Sequence, residues 1–241
     1  MKTKILNINF DLVKRQEALE RLLHFLKGDS PKLLFTPNPE MVMRSRDDRE
    51  FEKILNSGDL VVPDGIGIVY ASKLNKNKIE ERVAGCDLIM ELLKSPVKKT
   101  VYLLGSKEEN VKLAASNIEK KLNARVVGYR NGFFQQEEEE AIVNAIGQLN
   151  ADIILIGLGM VKQETFAYKY KEQLNCKIIA CVGGTIDVLS ENVKRAPKVF
   201  IRLNLEWFYR LLCDPRRILR MIQLPIFAAV VVKEKLGRKD A

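Results

Sequence analysis

Short apolar segments alternate with helical segments along most of the chain, and this alternation constrains the fold more than any other feature. Apolar strand runs separated by helices predict a mostly parallel sheet that is covered by helices on both faces. The predicted class is therefore α/β, with a Rossmann-like sheet and a C-terminal helical, basic appendage. The predicted strands are 3–10, 32–38, 59–64, 99–105, 124–129, 151–157 and 177–184. The predicted helices are 14–27, 39–55, 66–74, 86–94, one starting at 106, 136–149 and 162–174.

The composition predicts a folded protein of a reducing compartment. Hydrophobic residues make up 46% of the 241 residues, which allows a sizeable core and argues against disorder. The N-terminal segment is predicted to form a strand and a helix and lacks the apolar stretch of a signal peptide. One histidine, His24, and the absence of a C-x-x-C pair disfavour a zinc site and a Ser-His-Asp triad. We expect free thiols in a reducing cytosol for the four cysteines, Cys86, Cys176, Cys181 and Cys213.

The positive charge is concentrated at the C-terminus. Of the net charge of +9, residues 194–241 supply +8, from 12 Lys/Arg and 4 Asp/Glu, and the rest of the chain only +1. The same segment is aromatic and interrupted by prolines, so we predict an α/β domain at 1–195 and an appendage at 196–241. Such asymmetry indicates an anionic partner: phospholipid, nucleic acid or a phosphorylated substrate.

The apolar run of the appendage is too short to span a bilayer. Its run "PIFAAVVV" (225–232) falls well below the ~20 residues that a spanning helix needs. Basic and aromatic residues at helical spacing predict binding to an anionic membrane surface, and the alternative is ordinary helix packing onto the body. Arg210, Arg217 and Arg220 recur near one helical face, so we hypothesise that one or more of them reaches over the active site and holds a substrate diphosphate.

The predicted strand exits are where a ligand is expected. In open α/β sheets, ligands bind outside the carboxyl ends of the strands. Glycines at or just after most of these exits let a backbone approach a ligand, and the helix N-termini that follow offer N–H groups to phosphate. Each glycine alone is weak support, because turns need glycine anyway. The exits are 36–40, 63–67, 104–109, 130–134, 157–164 and 182–187.

Several common nucleotide and metal motifs are absent. "GIGIVY" and "GLGMVK" both lack the third glycine of a dinucleotide loop, and no Walker lysine motif occurs. No D-x-D pair is available for a divalent metal, and Asp47-Asp48 is predicted to lie on a solvated helix face. If a diphosphate is the leaving group, helix N-termini, Lys162 and arginines are the available means to neutralise it.

Five polar residues lie at or near the exits, and each has a structural interpretation. Three of them also have a functional one. Asp64 accepts backbone N–H bonds at an Asp-Gly turn, or it acts as a general base. Asn38 caps the following helix and Thr36 ends a strand, or both bind a sugar. Arg82 is a surface residue by default, and Gln163 a solvated amide at a helix start.

Taken together, these segments resemble the bacterial TagA/WecG/CpsF glycosyltransferases over about residues 5 to 200. The pattern "GLGMVKQE" followed by "VGGTID" and "KRAP" is specific to that family, and "NLEWFYRLLCDPRRILR" resembles its usual appendage. The other matching segments are "FTPNPEMV", "VVPDGIGIVYASKL", "ERVAGCDL", "YLLGSKEENV" and "GYRNGFF".

The resemblance implies a cytoplasmic enzyme that is peripheral on the inner face of the membrane. It implies inverting transfer of N-acetylmannosamine from UDP-ManNAc to the 4-hydroxyl of GlcNAc on undecaprenyl diphosphate, in the wall teichoic acid linkage unit. No metal and no cofactor are implied, and the UDP-sugar is a substrate. The implied general base is Asp64, and the implied substrate-binding residues are Thr36, Asn38, Arg82 and Gln163. The implied nucleotide-binding residues are Gly105, Gly132, Phe133, Gly157, Lys162, Gly183, Gly184 and Asp187.

Two alternatives stay open from the sequence. In the first, the same fold uses another UDP-sugar donor, mannosaminuronic or glucosyl, because donor selectivity rests on a few pocket contacts. The other alternative is a non-enzymatic module that binds nucleotides or nucleic acid. The nearly neutral body and the absence of a nucleic-acid motif argue against that module, so we expect no nucleic-acid partner. The sequence does not determine whether the protein forms a homo-oligomer.

Overall fold

The computed structural model describes residues 1–193, 195–203, 205–213 and 222–237. The strands in these ranges are β1 (Lys2–Ile5), β2 (Ile8–Asp11), β3 (Lys32–Phe35), β4 (Leu60–Val61), β5 (Thr100–Gly105), β6 (Arg125–Arg130), β7 (Ile153–Gly157) and β8 (Ile178–Cys181). Strands β3 to β8 form one parallel sheet with the spatial order β4-β3-β8-β7-β5-β6. The predicted parallel α/β sheet is thus confirmed.

Helices cover both faces of the sheet. The helices are α1 (Arg15–Phe25), α2 (Pro39–Asp47), α3 (Arg49–Asn56), α4 (Ile66–Ser72), α5 (Gly85–Lys94), α6 (Glu108–Lys121), α7 (Glu139–Gln148), α8 (Lys162–Lys169), α9 (Thr185–Leu189), α10 (Lys198–Arg202), α11 (Glu206–Cys213) and α12 (Gln223–Gly237). One core cluster lies under α2, α3, α4, α7 and α8, and the other under α1, α5, α6 and α9.

Successive strand residues supply the two core clusters in turn. In β3, Leu33 and Phe35 pack into one cluster while Leu34 packs into the other. Ile154 and Leu155 of β7 divide in the same way. This division follows from the pleat, which points neighbouring side chains to opposite faces. It explains why these strands are apolar throughout rather than alternating.

The first predicted strand is wrong. Residues 3–10 do not form one strand, because β1 and β2 pair antiparallel as a hairpin, with Ile5 opposite Ile8. The chain reverses at Leu6, whose φ of 52° lies in the left-handed region. A leucine is an unusual residue there, since its Cβ disfavours that region. The turn therefore has no glycine or proline to mark it in the sequence.

The predicted helix 39–55 is two helices. α2 ends before Asp48, whose backbone is extended at φ −135°, and α3 begins immediately after it. The Asp48 carboxylate accepts from the Phe51 N–H at 2.9 Å, as an N-cap does. Asp48 is therefore a cap residue and not part of a continuous solvated helix face.

The C-terminal helix packs onto the body. Phe227 and Val231 of α12 are buried in the same core cluster as Met41 of α2 and Ile68 of α4. The opposite side of α12 is also apolar, and Ile226 is among its exposed residues. Within the described residues, no helix combines the length and the apolar character that crossing a bilayer requires. The division at residue 195 stays a prediction.

Candidate active site

A cleft of about 830 Å³ opens beyond the carboxyl ends of the strands. One wall consists of the exits of β3, β4, β7 and β8, and the other of α11 and α12. Parallel strands end at the same edge of a sheet, so residues distant in sequence meet there. The cleft brings together nine of the residues predicted from sequence: Thr36, Asn38, Asp64, Arg82, Gly157, Gln163, Gly183, Gly184 and Asp187.

Asp64 is held against the exit of the neighbouring strand. Its backbone N–H donates to the Pro37 carbonyl at 3.2 Å, and its half-buried side chain lines the cleft. Asn38 caps α2, because its Oδ1 accepts from the Met41 N–H at 3.0 Å. Thr36 packs against the start of α5, where a Cβ on Gly85 would lie 2.8 Å from the Thr36 methyl. Three polar side chains therefore meet at one end of the cleft.

Arg82 is not the surface residue that its default interpretation predicts. Its side chain is only 12% exposed, and Nη2 lies 3.3 Å from Oε2 of the nearly buried Glu206. Glu206 is the first residue of α11, so this ion pair joins the appendage to the body across the cleft. Sequence reasoning missed Glu206, although it is the one acidic residue between 195 and 213.

A second ion pair fixes the start of the appendage. Both terminal nitrogens of Arg195 donate to the two carboxylate oxygens of Asp87 in the first turn of α5, with Nη2 and Oδ2 2.6 Å apart. Burial opposes ionisation of Asp87, yet Arg195 holds the pKa of this carboxyl below its usual value. A bidentate pair of this kind fixes direction as well as distance. It sets where the chain leaves the α/β body.

Gln163 is a buried amide and not a solvated one. Its Oε1 accepts from the Gly183 N–H at 3.2 Å, and its Nε2 donates to Oε1 of Glu164 at 2.6 Å. Gly183 has a φ of +52°, and a Cβ built there would meet nothing within 4 Å. The exits of β7 and β8 are therefore joined through one side chain that also lines the cleft.

Glu164 is the carboxylate with the most perturbed surroundings near the site. It is 1% exposed, and burial raises its pKa to about 7. Besides the Gln163 amide, the Val161 N–H donates to its Oε2 at 2.8 Å. Both hydrogen bonds favour the ionised form and act against the effect of burial on the pKa.

Asp187 is connected to the loop after β5. Its Oδ1 accepts from the Ser106 hydroxyl and from Asn110 Nδ2, the latter at 2.7 Å. Ser106 has a φ of 60°, in the left-handed region. Sequence reasoning missed Ser106 and Asn110, whose short polar side chains gave no distinct motif. Asp187 lines the cleft with its carboxylate already oriented by the body.

Four predicted nucleotide-binding residues do not line the cleft, namely Gly105, Gly132, Phe133 and Lys162. A Cβ on Gly105 would lie 2.4 Å from the Gly157 carbonyl, and one on Gly132 would lie 3.2 Å from the Gly105 Cα. These glycines thus allow neighbouring strand exits to pack closely, whether or not a ligand binds. Lys162 Nζ lies 4.4 Å from the Phe134 ring centroid, and Phe133 is 74% exposed. Their role in binding stays a prediction.

The three appendage arginines fall partly outside the described residues. Arg210 lies in α11, but its side chain is not described, and neither Arg217 nor Arg220 is. The diphosphate hypothesis stays a prediction. In the described part of the chain, no group of three or more His, Cys, Asp or Glu side chains is placed to hold a metal ion.

A cleft at the carboxyl edge of a parallel sheet, with a carboxylate and an arginine in its walls, defines an α/β protein built to bind a ligand. The profile of the "Glycosyl transferase WecG/TagA/CpsF family" matches residues 3–241, so the chain belongs to that family.

Curated relatives match over nearly the whole chain. A protein of Bacillus subtilis (strain 168) is 35% identical over 235 residues, which cover 96% of this chain and 90% of the relative. A protein of Staphylococcus aureus (strain NCTC 8325 / PS 47) is 32% identical over 244 residues, covering 100% of this chain and 96% of the relative. Both are named "N-acetylglucosaminyldiphosphoundecaprenol N-acetyl-beta-D-mannosaminyltransferase".

Proposed function

We propose that the protein transfers N-acetylmannosamine from UDP-ManNAc to the 4-hydroxyl of GlcNAc on undecaprenyl diphosphate, with inversion, in wall teichoic acid linkage-unit synthesis. Family membership and the names of the relatives support the reaction class. The observation that carries the proposal is the cleft in which Asp64 lies beside Thr36 and Asn38, with Arg82 also in its lining.

Asp64 is the proposed general base. As the acceptor 4-hydroxyl attacks the anomeric carbon, its proton passes to the Asp64 carboxylate, the new C–O bond forms, and the bond from the sugar to UDP breaks. The electron pair of the broken bond leaves with UDP. Thr36 and Asn38 supply a hydroxyl and an amide that bind the sugar, because the Asn38 cap uses only its Oδ1.

The leaving diphosphate needs positive charge or N–H donors. Arg82 supplies a guanidinium with five donors, and its pair with Glu206 orients it while leaving other donors for phosphate. The N-terminus of α8 and the appendage arginines are the further proposed contributors. The reaction then needs neither a metal ion nor a cofactor, and the UDP-sugar is a substrate.

The donor is proposed to lie along the exits of β7 and β8. Gly183 and Gly159 line the cleft, and a Cβ at either would enter open space, so their backbones are accessible to a ligand. The uridine end would then extend toward Gly132, Phe133 and Lys162, beyond the cleft itself.

The apolar rim of the cleft supports a lipid-linked acceptor and a peripheral position on the inner face of the cytoplasmic membrane. Tyr70 of α4, Leu74 just after it, Trp207 of α11 and Val232 of α12 line the cleft and remain exposed. Grouped exposed apolar side chains beside a polar cleft fit a polyprenyl chain that enters from the membrane surface. The buried side of α12 packs on the body, so membrane contact concerns only its outer face.

A donor screen tests the reaction. The full-length protein is supplied with a short-chain polyprenyl-diphosphate-GlcNAc acceptor and, in separate reactions, UDP-ManNAc, UDP-GlcNAc, UDP-glucose and UDP-ManNAc uronic acid. The expected product forms from UDP-ManNAc with the highest kcat/KM. Preferential use of a glucosyl or mannosaminuronic donor would establish the alternative donor, and no turnover with any of them would reject the transferase.

A further inference from the structure

Glu164 stands apart from the other buried carboxylates in the described residues. Asp11 pairs with Arg21, and Glu206 pairs with Arg82. For Glu164, no ion pair with a lysine or arginine is found in the described ranges, although its side chain is 1% exposed. Burying an acidic group without a cation is costly, so its retention needs a reason.

Both hydrogen bonds of the Glu164 side chain are ones in which an ionised carboxylate acts as the acceptor. Oε1 accepts from Gln163 Nε2 at 2.6 Å, and Oε2 accepts from the Val161 N–H at 2.8 Å. A carboxylate accepts at both oxygens, whereas an amide would turn a donor toward one of these two donors. These two contacts therefore suit the ionised form, although burial opposes it.

The orientation of the Gln163 amide follows from its two neighbours. The Gly183 N–H, 3.2 Å from Oε1, can only donate, and an ionised Glu164 can only accept. A flipped amide would place two donors together at Gly183 and two acceptors together at Glu164. The amide thus has one polarity, and it retains one hydrogen and one lone pair for a ligand in the cleft that Gln163 lines.

We infer that Glu164 is a positioning residue for the transfer reaction: its carboxylate holds the Gln163 amide in the orientation that joins α8 to the exit of β8 and that presents a defined donor and acceptor to the substrate. The inference rests on the proposed function, because the substrate contact of Gln163 belongs to it. In this inference Gln163 contacts the substrate, and Glu164 orients the Gln163 amide.

The electrostatics of the site support this role. Burial raises the pKa of Glu164 to about 7, so the carboxylate is protonated in the mildly acidic range. The titratable group that faces it from β8 is Cys181, whose thiol donates to the Gln163 carbonyl at 3.4 Å and whose pKa burial raises well above its usual value. That thiol stays neutral, so a titration near pH 7 reports on Glu164.

A kinetic experiment separates positioning from a purely structural contribution. Glu164→Gln is expected to lower kcat/KM for UDP-ManNAc on the order of 10- to 100-fold at pH 8, as misplacement of a binding group does. We expect the activity of the wild type to fall as pH falls through about 7, and the substitution should remove that loss. In a Gln163→Ala background the same substitution should have little further effect, because its action passes through that amide.

The control is Glu17→Gln. Glu17 accepts the Lys14 N–H at 2.8 Å in the capping box of α1, which is the same kind of contact but outside the cleft. Its kinetics should equal those of the wild type. Unchanged kinetics of Glu164→Gln, or losses that simply add in the double variant, would overturn the inference.

A second measurement does not depend on turnover. In ¹⁵N-labelled wild type, the Gln163 side-chain amide and the Gly183 N–H resonances should shift with a midpoint near pH 7, and these shifts should be absent in Glu164→Gln. Resonances that do not titrate would reject the inference even if the transferase is confirmed. If no donor is used but both resonances titrate, the proposed reaction fails while the Glu164–Gln163–Gly183 coupling stands.

Discussion

At the scale of single residues, the proposed chemistry depends on side chains whose position the strand exits determine. Asp64 shows this best, because its backbone is hydrogen-bonded to the neighbouring exit while its carboxylate lines the cleft. Asp-Gly is also a common turn sequence, so residue type alone did not separate a turn residue from a base. Its place in the cleft supports the general-base interpretation.

Asp64→Asn is expected to lower turnover about 100-fold or more while leaving UDP affinity nearly unchanged, since removal of a general base affects proton transfer rather than nucleotide binding. Steady-state kinetics and calorimetric titration with UDP measure the two quantities. The control is Asp47→Asn, which changes an exposed aspartate at the end of α2 that does not line the cleft. Turnover within a few-fold of the wild type in Asp64→Asn would make Asp64 a turn residue.

At the scale of elements, neighbouring strand exits approach each other so closely that a single methyl group is excluded. The tightest contact is at Gly105, where a Cβ would lie 2.4 Å from the Gly157 carbonyl of the adjacent strand. Both partners are backbone, so the clash cannot be relieved by a rotamer change.

Gly105→Ala is therefore expected to lower the free energy of unfolding by about 2–4 kcal/mol, through overpacking together with its left-handed φ of +141°. The control is Gly159→Ala, where φ is +87° but the added Cβ meets nothing within 4 Å. That variant should lose only about 1–2 kcal/mol, from backbone strain. Denaturant unfolding measures both, and equal losses would contradict the packing explanation.

The contact of α11 with the body depends on a largely buried ion pair. Arg82 and Glu206 have side chains only 12% and 10% exposed, so removing one charge leaves the other poorly solvated. Glu206→Gln is expected to speed amide hydrogen exchange in residues 206–213 and to raise KM for the donor as Arg82 loses its orientation. Glu191→Gln, in an exposed pair with Lys121, is the control and should change neither. Unchanged exchange in α11 would show that other contacts hold the helix.

At the scale of the whole molecule, stability and the chemistry of the site favour opposite protonation states of Glu164. Its pKa is raised from 4.5 to about 7, so between these values the folded state binds more protons than the unfolded state. The contribution of Glu164 to the free energy of unfolding therefore falls as pH rises through this window and is constant above it. The ionised form, which we infer to be the active one, is thus the less stable.

Comparison of the wild type with Glu164→Gln isolates this effect, because other titrating groups are common to both. The free energy of unfolding of the wild type should fall, relative to the variant, by roughly 3 kcal/mol between pH 4.5 and pH 8. Urea unfolding at four pH values measures the difference. A difference that does not change with pH would place the pKa of Glu164 near its ordinary value.

Membrane docking is the other property of the whole molecule. Ile226 and Leu236 of α12 are exposed and lie outside the cleft. Replacing both with Glu should weaken co-sedimentation with phosphatidylglycerol vesicles by about tenfold or more, since burial of each side chain is worth ~1.5–3 kcal/mol. Turnover of a soluble short-chain acceptor should persist. Leu113→Glu, on the exposed face of α6, is the control, and equal vesicle binding by all three proteins would reject this docking face.

Local patterns alone predicted the six strands of the parallel sheet, most helices and the edge of the sheet where the cleft lies. Apolar runs and their glycine exits are local signals, and parallel topology then places all exits together. Features without a local signal were missed. The hairpin turn at Leu6 has no glycine or proline, and the break at Asp48 lies in a segment with helical periodicity throughout.

Tertiary structure decided which polar residues are buried and what they contact. Arg82 meets Glu206 and Arg195 meets Asp87 across separations of 124 and 108 residues, which no spacing rule relates. Gln163 and Glu164 are adjacent in sequence, yet only the packing of α8 against β8 buries them. Hydrophobic periodicity is a local property and can be read from the sequence. Desolvation of polar groups and long-range ion pairs arise only when distant segments pack into one core.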